Sequence, residues 1–254
     1  MKTLRIIYRS AYLLVINLAF AIIGFTLNLF FKSNPKKLQQ YIAKSAKLWA
    51  KYICMSLNID ITIHGKMPDS QSALIIANHV GCPDIFVLGS CFQVLFVSKE
   101  EIRNWPLIGF LAELGHTIFV DRTRKQKVRE TILSIKDRLE SGFSVLLFPE
   151  AQVTDGKDVY PFKSAYFEAA ILTNKPVLPI MVHYESSENP KIAQWGNQNF
   201  FSHLITLLKN PELKATVTVL PRIQRLTNRK KLSITGHKLI KKSYEKIINR
   251  NICN

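Results

Sequence analysis

Residues 73–92 read ALIIANHVGCPDIFVLGSCF. The run from Ala73 to Ala77 is apolar throughout, as a strand covered on both faces would be. Asn78 ends it, and His79 stands at its carboxyl end, the edge at which open α/β sheets take their ligands. Val80, Gly81 and Cys82 make a short loop. Pro83 suits the first position of the helix PDIFVLGSCF, because its missing N–H has no partner there in any case. Asp84 then falls in the first helical turn, where a negative charge is favoured. A histidine on a loop facing a carboxylate fixed on a helix is the arrangement a general base needs. On the residues alone, a structural histidine held by an aspartate fits equally well.

Outward from this stretch the same grammar repeats. Strands are predicted at 59–63, 73–77, 94–98, 117–120, 143–148, 177–183 and 215–220, each rich in β-branched residues. Helical spacing connects them, most clearly at 124–140, where Val128, Ile132, Ile135 and Leu139 recur and Gly142 stands just past the end. Segments 163–173 and 234–249 carry weaker helical patterns. The class is α/β, with a mainly parallel or mixed sheet of about seven strands covered by helices. No repeat or low-complexity segment interrupts it.

His-x-x-x-x-Asp occurs three times, at His64…Asp69, His79…Asp84 and His116…Asp121. Six histidines and seven aspartates give roughly 0.2 matches by chance, so three need sorting. The third lies on a predicted strand, where the two side chains would be about 16 Å apart on opposite faces. The first runs through Pro68 directly into the next strand, with no helix to hold Asp69. Only the second has a strand, a loop and a helix in the required order.

Before residue 58 the pattern differs. Residues 11–31, AYLLVINLAFAIIGFTLNLFF, are 21 residues without a charge, and a spanning helix needs about 20. Residues 36–57 form an amphipathic helix. Its lysines at 37, 44, 47 and 51 lie on one side, and Leu38, Tyr41, Ile42, Trp49, Tyr52 and Ile53 on the other. Cations flank the apolar run on both sides, so the positive-inside rule does not orient it. A spanning helix and a hairpin dipping into one leaflet both remain open. The division is a membrane-associated hairpin or anchor at 1–57 and a catalytic domain at 58–254 with a basic C-terminal helix.

The 254-residue chain carries a net charge of +17. Residues 1–57 and 222–254 each carry +9 and the body between is nearly neutral. Basic ends imply an anionic partner. Beside a long apolar run this favours the lipid bilayer; no nucleic-acid motif is present, which argues against nucleic acid. The C-terminal charge reads either as a solvated basic helix or as a docking patch. Cys54, Cys82, Cys91 and Cys253 form no Cys-x-x-Cys pair and no cluster with histidine. Neither a disulfide framework nor a metal site is expected, and the body is expected to face a reducing compartment.

The run Asn78-His79-Val80-Gly81-Cys82-Pro83-Asp84 resembles the NHxxxxD box of the glycerolipid acyltransferases, whose type enzyme is lysophosphatidate acyltransferase. Further boxes follow in order. Lys99-Glu100-Glu101-Ile102 is similar to the lysine-led segment. Gly115 to Arg122 is similar to the second box, Phe148-Pro149-Glu150 to the start of the third, and Phe162 to Ala165 and Pro176 to Pro179 to the segments after it. The departures are Ala151-Gln152-Val153 where glycine and threonine usually follow, Gly81 in place of a frequent serine, and Ser164 in place of a common glycine.

The resemblance implies acyl transfer from an acyl thioester, carried by acyl-carrier protein or coenzyme A, to the free hydroxyl of a lysophospholipid. The first expectation is 1-acylglycerol-3-phosphate; another lysophospholipid or a lyso-aminolipid is the alternative, raised by the altered third box. A binding protein that has lost catalysis is a different class, which the intact His79, Asp84 and Arg122 speak against. His79 is the implied base and Asp84 its partner. Lys99, Arg122 and Glu150 are the implied acceptor-binding residues, with Asn78 shaping the loop, and backbone amides after His79 are candidates for an oxyanion hole. No cofactor is implied. The expected site is at the membrane, facing the cytoplasm, and the basic tail suits an acidic carrier protein.

Overall fold

The computed structural model describes residues 2–67, 72–121, 124–154, 156–189, 191–194, 200–224 and 227–252. Seven strands form one sheet: β1 (Ile59–His64), β2 (Leu74–Ala77), β3 (Val94–Lys99), β4 (Ile118–Val120), β5 (Ser144–Leu147), β6 (Val177–Glu185) and β7 (Leu213–Val219). Their order is β1-β7-β6-β2-β5-β3-β4. Five of the six pairings are parallel; only β6 and β7 run antiparallel. The mixed, mainly parallel sheet expected from the strand runs is therefore present. β2 sits near its centre, buried at every position, and pairs with β5 on one side and β6 on the other. Its carboxyl end thus receives residues from both neighbours.

The helices are α1 (Lys2–Phe30), α2 (Pro35–Leu57), α3 (Pro83–Cys91), α4 (Ile108–Leu114), α5 (Lys125–Glu140), α6 (Glu168–Leu172), α7 (Phe200–Lys209) and α8 (Arg229–Ile252). Two apolar layers sandwich the sheet. One gathers Ile53, Leu57, Val87, Leu88, Ile180 and Val217 beneath α2 and α3. The other gathers Ile76, Ile135, Leu139, Leu147 and Ile240 beneath α5 and α8. The segment predicted as a helix at 163–173 is a short 3-10 turn followed by α6. Helices α4 and α7 carry no strong sequence signal, being ten residues or fewer.

The N-terminus is a pair of packed helices, of which only α1 is long and apolar enough to cross a membrane. It is bound to the body along its length. The buried Arg9 donates to the carbonyls of Leu208 (3.2 Å), Asn210 (2.6 Å) and Pro211 (3.2 Å), around the end of α7, and Arg5 donates to Lys209 O at 2.7 Å. A cation there meets the negative end of the helix dipole. The Trp49 indole donates to Asn17 Oδ1 at 2.9 Å, and Asn28 Oδ1 meets His116 Nε2 at 3.1 Å. Asn17 and Asn28, which interrupt the apolar run, therefore point inward, while Thr26 is exposed and bonds back to the Ile22 carbonyl of its own helix. Leu4, Ile7, Leu14, Val15, Leu18, Ile22, Phe25 and Leu29 remain exposed on the other side.

The basic C-terminal helix α8 is also tied down. Lys241 grips Asp158 at 2.6 Å, His237 Nε2 meets Val159 O at 2.9 Å, and Tyr244 donates to Gly156 O at 2.7 Å. Lys230, Lys231, Lys238 and Lys242 are exposed.

Candidate active site

His79 follows β2 and Asp84 opens α3, as the strand-loop-helix reading requires. His79 Nδ1 and Asp84 Oδ2 are 2.7 Å apart. The same Oδ2 accepts the amides of Val80 at 2.7 Å and Gly81 at 3.0 Å, so the loop between the two residues is wound around the carboxylate. Asp84 is wholly buried, whereas the His79 side chain keeps 17% of its surface. A buried carboxylate holding Nδ1 fixes the ring so that Nε2 is the nitrogen turned to an incoming group.

Three further contacts hold His79 from the chain after β5. The Phe148 ring stacks on the imidazole, centroids 4.1 Å apart and planes 13° from parallel. Glu150 Oε1 accepts the His79 amide at 2.8 Å. Thr154 donates both its amide (2.9 Å) and its hydroxyl (3.1 Å) to the His79 carbonyl. Ring face, N–H and C=O of one residue are thus all fixed by the segment 148–154.

Glu150 is nearly fully buried, and its second oxygen accepts the amide of Tyr160 at 2.7 Å. Burial pushes its carboxyl up to about 8, against the pull of its two amide bonds. Both oxygens are engaged with backbone, so Glu150 holds the site together. Asn78 does likewise: its amide donates to Val182 O at 2.9 Å and its oxygen accepts Val182 N–H at 2.8 Å. Its side chain stitches β2 to β6 and offers no group to a ligand. Lys99 is exposed at the end of β3, in register with Val120 on β4, at the same carboxyl edge. Arg122 lies outside the described residues.

The amides of Val80 and Gly81, expected as oxyanion donors, are spent on Asp84, and that of His79 on Glu150. Cys82 is buried, and burial with the neighbouring Asp84 charge raises its thiol well above the usual range. That excludes it as a nucleophile. Cys54, Cys82 and Cys91 are free thiols. His116 precedes β4 on a left-handed turn and pairs with α1, so it takes no part in a second dyad with Asp121. His64 ends β1 as read, and Asp69 lies outside the described residues.

Of the departures from the family boxes, Gly81 and Ser164 have local reasons and Ala151 has none. A Cβ on Gly81 would overlap the carbonyl oxygen of Ala193, so the serine seen elsewhere has no room. Ala151 occupies φ 64°, a left-handed conformation that suits glycine and strains alanine. Ser164 sits at φ −79°, where glycine's freedom is not needed.

Residues 58–183 match the Acyltransferase family. Lyso-ornithine lipid O-acyltransferase of Rhizobium meliloti is 29% identical over 80% of this chain and 76% of its own length. The protein of that name from Rhodobacter capsulatus is 36% identical over 61% of this chain and 59% of its own. The 1-acyl-sn-glycerol-3-phosphate acyltransferase of Neisseria meningitidis is 27% identical over 56% of each. The chain therefore spans less than two thirds of the last two relatives. The crystal structure of the 1-acyl-sn-glycerophosphate acyltransferase of Thermotoga maritima superposes with a TM-score of 0.71 at 20% identity, over 97% of this chain and 98% of that one, so the two share a fold. With the histidine-aspartate box at the end of the central strand and the third box packed against it, this chain belongs to the acyltransferase family and is an O-acyltransferase.

Proposed function

We propose that the protein acylates the free hydroxyl of a lyso-aminolipid of the lyso-ornithine lipid type, using an acyl thioester as donor. The observation that carries the reaction class is the His79–Asp84 contact at 2.7 Å with His79 clamped from above and on both backbone sides. His79 Nε2 takes the hydroxyl proton as the oxygen attacks the thioester carbonyl. The C–O bond forms, the C–S bond breaks, and the proton passes to the departing thiolate. Asp84 holds the tautomer and stabilises the imidazolium. A base placed this way contributes about 10²–10⁴-fold. The thioester is already activated, so no covalent enzyme intermediate is needed.

For the acceptor, two facts favour an aminolipid. The third box, which the family resemblance links to the acceptor, is altered to Ala151-Gln152-Val153 where glycine and threonine usually follow. By sequence, the two lyso-ornithine lipid O-acyltransferases reported above match 80% and 61% of this chain, against 56% for the 1-acyl-sn-glycerol-3-phosphate acyltransferase of Neisseria meningitidis. Lysophosphatidate is the second reading, favoured by Lys99 exposed at the carboxyl edge of the sheet.

The apolar helix α1 and the lipid-handling family support membrane association. We read α1 as lying in one leaflet, with its exposed apolar stripe in lipid and Arg9, Asn17 and Asn28 turned inward. Its ties at Arg5 and Arg9 and at Asn28 lie some 30 Å apart along the helix at ~1.5 Å per residue. A helix crossing the bilayer would have to release them. The three free, buried thiols support a site on the cytoplasmic side.

The test is acyl transfer by the purified protein in liposomes, with labelled acyl-carrier protein and acyl-CoA donors in parallel. Lyso-ornithine lipid and lysophosphatidate serve as acceptors, and His79→Ala as control. Preference for the aminolipid supports the reading; preference for lysophosphatidate replaces the acceptor and keeps the mechanism. Activity retained by His79→Ala removes both.

A further inference from the structure

Asp84 uses only one of its oxygens for His79 and the loop amides. The other, Oδ1, is fully buried and has no hydrogen-bond partner. A charged oxygen left dry and unpaired is costly. A second orphan lies beside it: the hydroxyl of Tyr184 on β6 is also fully buried without a partner, and it is turned to the Asp84 carboxylate. Burial, then the neighbouring carboxylate, raises that hydroxyl well above its usual value, so it keeps its proton and can donate it.

The placement follows from the sheet. Leu178, Ile180, Val182 and Tyr184 share the face of β6 that packs with Val80 and Cys82. Asn78 binds Val182 through both ends of its amide, which fixes the position of β6 against the end of β2. Two residues further, on the same face, comes Tyr184. The other titratable groups around Asp84 are Cys54 from α2, Cys82 in the loop, His203 from α7 and Glu150 after β5. Both thiols are held protonated by burial, Cys54 with its pKa pushed up to about 12.

We infer that Tyr184 is a positioning residue for the acyl transfer, its hydroxyl donating to Asp84 Oδ1 and so holding the carboxylate against His79. The inference rests on His79 and Asp84 acting as the base pair of the proposed reaction. With the hydroxyl bonded, part of the Asp84 charge is drawn away from His79 and the carboxylate cannot rotate. Without it, the whole charge falls on the imidazole and the carboxylate is free to turn.

The test is Tyr184→Phe, which keeps the ring and removes one oxygen, assayed beside Asp84→Asn and the double variant. The expected result is a fall in kcat of about tenfold, from the loss of one hydrogen bond to a charged group. KM for acceptor and donor should stay the same, and the acidic limb of the kcat profile should move to higher pH. In the Asp84→Asn background the same substitution should cost less than twofold. Unchanged kcat in Tyr184→Phe overturns the inference. So does an equal loss with Asp84 present or absent, or a loss of kcat that tracks a lowered melting temperature with no change in pH profile, since each marks a packing role only. If Asp84→Asn itself keeps full activity, the base-pair reading fails instead.

Discussion

Glu150 accepts the backbone N–H of His79 at 2.8 Å, although 71 residues separate them. With the Tyr160 amide on its other oxygen, it makes a buried bridge between the His79 loop and the segment at Tyr160. Glu150→Gln leaves one oxygen for two amide donors, so one buried amide loses its partner, at a cost of about 1–3 kcal/mol. We expect a lowered unfolding midpoint in denaturant and at least a tenfold fall in kcat. Equal midpoints for the variant and the parent would contradict the bridge.

The same carboxyl sets a pH dependence. Its value in the folded protein, about 8, lies above the ordinary 4.5 because it is buried. Between those limits the folded state holds a proton that the unfolded state has released. Stability from this group is therefore fully present below about 4.5 and falls as pH rises towards 8. Unfolding free energies measured across pH 5–8 should decline more steeply for the parent than for Glu150→Gln.

Asp84→Asn should be far more damaging to rate than to fold. The carboxylate Oδ2 serves three donors, and an amide placed there presents a donor of its own to Nδ1 or to the loop. The wrong tautomer of His79 then follows, and kcat should fall by about 10³–10⁴. Single-turnover acyl transfer with saturating acceptor separates this loss from weaker binding.

Gly81→Ser restores a residue frequent in the family box and should nonetheless harm this protein. Its Cβ would meet the Ala193 carbonyl, and the backbone must shift to admit it. A loss of about 1–3 kcal/mol is expected from such overpacking, with lower activity because the Gly81 amide leaves Asp84. A thermal melt beside a rate measurement tests both.

Ala151→Gly should act the other way. At φ 64° the alanine is strained by about 1–2 kcal/mol, partly offset by the extra freedom glycine has in the unfolded chain. A net gain of about 0.5–1 kcal/mol is expected, seen as a higher melting temperature.

The local features of this fold were open to reading from the sequence. The seven strands, the two N-terminal helices and the helix opening at Pro83 each carry a periodicity or a cap within a few residues. The dyad was legible because its partners lie five apart on a strand-loop-helix. What was not legible comes from far along the chain: Phe148, Thr154 and Tyr184 reach the site from β5 and β6, and no spacing rule links them to residue 79. Thr154 had one weak signal, its position just beyond the third box. Polar residues at strand ends were also ambiguous. Glu150 read as a group facing the acceptor and Asn78 as shaping the loop, yet both side chains turn to backbone, since a buried strand end leaves amides that need partners. Helices α4 and α7 are too short for periodicity to stand out. Arg122, singled out for the acceptor, lies outside the described residues.

The clamp on His79 bears on how the enzyme comes into being. The dyad is local, but the contacts that fix its base bridge 69 to 75 residues and demand that β5 already lie beside β2. A nascent chain that has made only the first half of the sheet holds both residues and still has a loose imidazole. On the proposed mechanism, competence for acyl transfer therefore needs this long-range clamp as well as the local pair of His79 and Asp84.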